Sequence, residues 1–133
     1  MFERILLAVD GSDHSKKAAA AAAELATNSN GEVYVVHVHE EGLTASVETP
    51  KDATELVNGV VQELREKGVK AEGQAIPART GQAAPAILDA AKSLDSQVIV
   101  MGTRGLSDFE ALVIGSMAHK VLHHAECPVL LVR

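Results

Sequence analysis

Aromatic side chains are almost missing from this sequence: Phe2, Tyr34 and Phe109 are all that its 133 residues contain. Proteins that bind single-stranded nucleic acid stack bases on aromatic rings, and those that track a phosphate backbone present a basic face. Here the rings are absent and the formal net charge is −6, which excludes nucleic acid as the expected partner. Cysteine is nearly absent too. Cys127 stands alone, so no internal disulfide forms, and the composition suits a reducing compartment. No apolar run approaches the roughly 20 residues that cross a bilayer. The first run, Ile5 to Val9, lies between Glu3 and Asp10 and is too short and too acidic for a secretory signal. The expectation is a cytoplasmic protein without membrane contact.

What is present is aliphatic. Hydrophobic residues make up 47% and charged residues 23%, an apolar content that excludes intrinsic disorder. A chain of this length forms one domain, here residues 1–133, and buries enough surface to need no metal or disulfide staple. With so few rings, its core is built from Val, Leu, Ile and Ala.

Five aliphatic runs alternate with helical stretches. The strands are expected at Ile5 to Val9, Val33 to Val38, Val69 to Ile76 (stopping at Pro77), Val98 to Met101, and Val129 to Val132. Four of them are almost continuously apolar, as strands are when helices cover both faces of a parallel sheet. The first helix is expected over Asp13 to Ala26, with Ser12 or Asp13 as N-cap. The second opens with a capping box at Thr49-Pro50-Lys51-Asp52 and ends before Gly68. The third carries Ile87, Leu88, Ala91 and Leu94 on one side, with its start blurred by Pro85. The last runs from about Met117 to His124. The order βαβαβαβαβ gives an α/β fold: an open, doubly wound, five-stranded parallel sheet with helices on both faces. Ligands of such sheets sit beyond the carboxyl ends of the strands, where the strand order reverses.

The fourth strand runs into Gly102-Thr103-Arg104-Gly105, and Gly115-Ser116 follows just before the last helix. Glycines after a strand admit close backbone approach. A helix start offers unpaired N–H groups at the positive end of its dipole, and together these suit phosphate. The same residues also serve as plain turns joining a strand to a helix, and spacing alone leaves both readings open. Neither a Walker loop nor a G-x-G-x-x-G fingerprint follows the first strand.

The glycine pattern G-x2-G-x9-G-[ST], matched by Gly102, Gly105, Gly115 and Ser116, resembles the nucleotide-binding branch of the universal stress protein family. So do the opening Ile5-Leu6-Leu7-Ala8-Val9-Asp10-Gly11-Ser12, the His37-Val38 pair, Met101-Gly102-Thr103-Arg104-Gly105 and the tail Cys127-Pro128-Val129. That resemblance covers essentially the whole chain. It implies a Rossmann-like fold and binding of an adenine nucleotide such as ATP. Asp10 and the backbone of Val38 would hold adenine and ribose, with Ala8 and Val9 as pocket wall. Met101, Gly102, Arg104 and Gly105 would lie along ribose and phosphates, and Gly115, Ser116 and the amide of Met117 would take the phosphate chain. It also implies a homodimer paired through the final strand, Val129, Leu130, Leu131 and Val132, working in the stress response as a sensor or regulator together with a protein partner that the sequence does not identify. Asp108 and Glu110 depart from the pattern. Two carboxylates beside a polyphosphate weaken its binding, favouring AMP or ADP, unless they face solvent or help to hold Mg²⁺.

Other signals carry less. His119 and His123 have metal-ligand spacing but no third ligand, and read as a solvated helix face. His37 and His39 alternate on one face of the second strand; His39 reads as a strand-end surface residue that could also reach the crevice. Cys127 reads as a buried, inert thiol, and Glu40 to Thr49 as a loop. No catalytic constellation emerges: phosphoryl transfer needs a base that positions water and a means of stabilising charge, and no such set is evident. A slow ATP hydrolase, or an interaction module that has lost its nucleotide, stand as the alternatives to a nucleotide-binding regulator.

Overall fold

The continuous apolar runs form the centre of a parallel sheet. The computed structural model describes residues 2–42, 48–103 and 114–133. Those residues form β1 (Arg4–Ala8), α1 (Asp13–Ser29), β2 (Glu32–Glu41), α2 (Pro50–Glu66), β3 (Lys70–Arg79), α3 (Ala83–Ser93), β4 (Val98–Gly102), α4 (Ser116–His124) and β5 (Val129–Val132). The strands lie in the order β3-β2-β1-β4-β5, every pair parallel. The doubly wound α/β fold expected from the alternation is therefore the fold observed.

The side-chain alternation of each strand sorts the core into two layers. Ile5, Leu7, Val33, Val35, Val98 and Val100 face α1 and α2. Leu6, Ala8, Val36, Ile99 and Met101 face α3 and α4. Helix α1 meets the sheet through Ala18, Ala22 and Ala26, all buried; side chains this small let a helix sit close to the strands without large rings to fill the gap.

Local chemistry sets the helix ends. Ser12 caps α1, its Oγ accepting the Ser15 amide at 3.2 Å. Thr49 and Asp52 form the reciprocal capping box of α2, with Pro50 in its first turn. Gly68, at φ +80°, follows the α2 C-cap in the left-handed region where glycine is favoured. Helix α3 begins at Ala83, which puts Pro85 in the first turn, where no intrahelical N–H is required.

Several boundaries differ from the sequence expectation. Strand β3 continues through Pro77 to Arg79, because it borders the sheet and a proline there need not break a ladder on both sides. Strand β2 runs on to Glu41 instead of yielding to a loop at Glu40, paired throughout with β3. Helix α1 extends to Ser29 and stops at Asn30, which adopts the left-handed conformation. The N-cap of α4 is Gly115, with Ser116 as the first helical residue, and among the described residues no side chain caps that helix.

Candidate functional site

Strand order reverses between β1 and β4: the chain winds outward from β1 to β3, then crosses to β4 and β5. Leu7 and Val100 are in register, so β1 ends at Ala8 one residue beyond that pair and β4 ends at Gly102 two residues beyond it, side by side. The crevice beyond them is bordered by several of the residues singled out by sequence. Val9 and Asp10 leave β1, and the Val9 amide donates to the Val36 carbonyl at 2.9 Å. Strand β2 continues past that point, which leaves Val38, half-buried, projecting beyond the end of β1.

The turn after β1 is held by its own side chains. Asp10 Oδ1 accepts the Ser12 amide at 2.9 Å, and the Asp10 amide donates to Ser15 Oγ at 3.0 Å. Gly11, at φ +83°, supplies the backbone conformation that an L side chain disfavours. Asp10 is thus a turn-forming carboxylate, and it stands at the crevice with its other oxygen not used in this pair of bonds.

On the far side, the Gly115 amide donates to the Thr103 carbonyl at 2.6 Å. This bond brings the two ends of the glycine-rich segment together and sets the start of α4 beside the end of β4. The first-turn amides of α4 therefore open at the crevice with the positive end of a nine-residue helix behind them. Ser116 is exposed there, and Met117 packs on the α3–α4 core layer. Arg104, Gly105, Asp108 and Glu110 lie outside the described residues.

Gly102 has a packing reason to be glycine. A β-carbon at that position would lie 2.8 Å from Cβ of His14 and 3.0 Å from its carbonyl carbon, closer than side chains approach one another. The first turn of α1 thus closes directly over the end of β4.

His39 is not a surface residue, and neither is its strand neighbour His37. His37 and His39 are only 7% and 6% exposed. His37 Nδ1 lies 2.7 Å from the Val9 carbonyl oxygen, and its Nε2 lies 2.8 Å from Glu48 Oε1. The same Glu48 oxygen meets His39 Nδ1 at 3.1 Å. Glu48 went unnoticed in the sequence because it reads as part of a polar loop. The available signal was an acidic residue one position before a helix cap, following two alternating histidines on a strand.

Elsewhere the chemistry is sparse. The rings of His119 and His123 stack with centroids 6.3 Å apart. Cys127 is half-buried and free, and burial pushes its thiol above the ordinary value, assisted by the nearby Glu126 carboxylate. Among the described residues no group of three or more His, Cys, Asp or Glu side chains is placed to hold a metal ion, and no helix is long and apolar enough to cross a membrane.

Comparison with known proteins matches residues 1–133 to the universal stress protein family. A universal stress protein of Thermus aquaticus is 42% identical over 139 aligned residues, covering all of both chains. The universal stress protein of Archaeoglobus fulgidus superposes over all of both chains with a TM-score of 0.82 at 30% identity. A structure of the universal stress protein from that organism in complex with dAMP has a TM-score of 0.79 at 28% identity, again with full coverage.

Proposed function

Because the chain belongs to the universal stress protein family, we propose that it binds an adenine nucleotide in the crevice between the ends of β1 and β4 and acts as a dimeric regulator in the cytoplasm. The observation that carries this reading is the Gly115–Thr103 hydrogen bond of 2.6 Å. It fixes an uncapped helix start beside the switch point of the sheet, and such a start favours phosphate oxygens. The dAMP complex of the similar Archaeoglobus fulgidus protein supports the choice of an adenine nucleotide.

In this reading Ala8 and Val9 form the wall for the base. The backbone of Val38 and the carboxylate of Asp10 take adenine and ribose. The amides of Gly115, Ser116 and Met117 receive the phosphates, with Met101 and Gly102 as the floor and Arg104 and Gly105 completing the loop. Lacking aromatic rings at these positions, the site holds adenine through aliphatic contact and backbone hydrogen bonds. Mg²⁺ accompanies the nucleotide when ATP or ADP is the ligand, since their phosphates bring their own affinity for the ion.

Dimerisation is assigned to β5. It borders the sheet, and its Leu130 is 38% exposed. An uncovered apolar border strand pairs readily, and a two-fold axis through it gives a closed dimer.

Titration with ATP, ADP, AMP and cyclic AMP, with and without Mg²⁺ and with phosphate release followed in parallel, tests the proposal. Binding that disappears in Gly115→Val, whose circular dichroism matches wild type, is the expected result. Absence of binding by every nucleotide overturns it, and phosphate release lost in the same variant would make the protein a hydrolase instead.

A further inference from the structure

The hydrogen bonds of His37 fix where its protons lie. A carbonyl oxygen only accepts, so Nδ1, 2.7 Å from the Val9 carbonyl, carries a hydrogen. A neutral imidazole then has a bare lone pair on Nε2. That nitrogen, however, lies 2.8 Å from Glu48 Oε1, and an ionised carboxylate also only accepts. Two lone pairs do not meet at that distance inside a protein. A second proton occupies the contact, and it sits on the imidazole because a carboxyl group is ordinarily the stronger acid.

Other groups stand around the pair. On its own strand His37 has His39, whose Nδ1 donates to the same Glu48 oxygen at 3.1 Å and needs no extra proton to do so. From β3 the register partners of the two histidines are Ala75 and Pro77, neither titratable. The α1 residues in the core layer on this face are apolar. Asp52 in the first turn of α2 is close enough to feel His39, and Asp10 follows Val9 in the chain.

We propose that His37 and Glu48 form a proton-bearing latch that positions the Val9–Asp10 turn, and thereby makes nucleotide affinity dependent on protonation; the effect on affinity rests on the nucleotide reading above. His37 is a positioning residue in this scheme. Its Nδ1–H holds the Val9 carbonyl, its Nε2–H holds Glu48, and Glu48 stands next to the cap residue of α2. When the Nε2 proton leaves, the ring faces a carboxylate with no hydrogen between them. The contact opens, His37 loses the partner that fixes its ring plane, and the base-side wall of the crevice loosens.

The two parts of the inference separate experimentally. Nitrogen NMR of the imidazole rings in ligand-free protein reports the proton directly, with His37 assigned from the signal lost in His37→Asn. At about pH 6, wild-type His37 should show both nitrogens protonated, as its two acceptor contacts require. In Glu48→Gln, whose amide can donate to Nε2, only Nδ1 should be protonated. A wild-type His37 with one bare nitrogen at that pH overturns the latch whether or not nucleotide binds. AMP affinity measured from about pH 6 to about pH 8 tests the coupling. The wild-type dissociation constant, divided by that of Glu48→Gln so that the ionisation of the ligand cancels, should rise with pH. His37→Asn, which can still donate to the Val9 carbonyl, should bind AMP more tightly than His37→Val and show no such rise. A constant ratio across this range, with AMP bound throughout, overturns the coupling, whereas no AMP binding at any pH overturns the nucleotide reading and leaves the NMR result standing by itself.

Discussion

Gly102 and His14 meet so closely that a β-carbon on the glycine would lie 2.8 Å from Cβ of the histidine. The contact joins the end of β4 to the first turn of α1, where backbone as well as side chain would have to give. Gly102→Ala should therefore destabilise the protein by about 1–3 kcal/mol, the usual cost of overpacking. Gly59→Ala is the control. Gly59 lies within α2 with nothing within 4 Å of the added carbon, so that change should stabilise by about 0.5–1 kcal/mol. Urea unfolding of both variants measures the contrast, and equal effects would contradict the packing account.

The capping box of α2 makes a separate prediction. Thr49→Ala should lower stability by about 1 kcal/mol at neutral pH, measured by chemical denaturation. Its partner Asp52 titrates below the ordinary carboxylate value, first because the Thr49 amide donates to it and also because of the Thr49 hydroxyl. A carboxyl whose pKa is depressed on folding contributes stability above its unfolded value, about 3.9, and that contribution disappears as pH falls through the lower folded value. Asp52→Asn should accordingly differ most from wild type near neutrality. The two melting curves should converge in acid, and a difference that grows in acid would reverse the sign of this assignment.

Cys127 should react slowly. Burial, the largest influence, and the nearby Glu126 both raise its pKa, so little thiolate is present near neutral pH. Alkylation by iodoacetamide should run several-fold slower in the native protein than in urea, as read by mass spectrometry. Equal rates would mean that the thiol is effectively solvated.

Ser15 is buried and its hydroxyl receives the Asp10 amide at 3.0 Å. Ser15→Ala leaves that part-buried donor without its partner, at a cost of about 1–3 kcal/mol. Hydrogen exchange should accelerate at the Asp10 amide, while the amides of β1 upstream stay protected. Uniform acceleration along β1 would point to global loosening instead.

Much of the architecture was legible because its signals are local. Leu6 and Ile99, both fully buried, sit in runs without polar alternation, which is what two covered faces demand. Ser12 and Thr49 mark helix starts through bonds that span three residues. What sequence misread depends on distant partners. His39 looks like a surface residue until Glu48, nine residues beyond it, folds back onto it and His37. Pro77 ends a strand in a local reading and is tolerated here because β3 happens to be a border strand. Gly102 falls in a glycine pattern that resembles a nucleotide motif, yet its missing side chain answers to His14, more than eighty residues earlier. For the candidate site, the sequence located the strand ends and the helix start, but not the histidine–carboxylate cluster beside them.

The two borders of the sheet are unlike. Strand β3 carries Pro77 and exposed Lys70, Glu72 and Arg79 along its length, features that discourage a further strand from adding. Strand β5 is short and wholly aliphatic, Val129-Leu130-Leu131-Val132. Each molecule therefore has one sticky margin and one blunt one. In the proposed dimer, association through the sticky margin would consume it on both molecules and leave only blunt ones exposed, so growth would end with two chains and no endless ribbon would form.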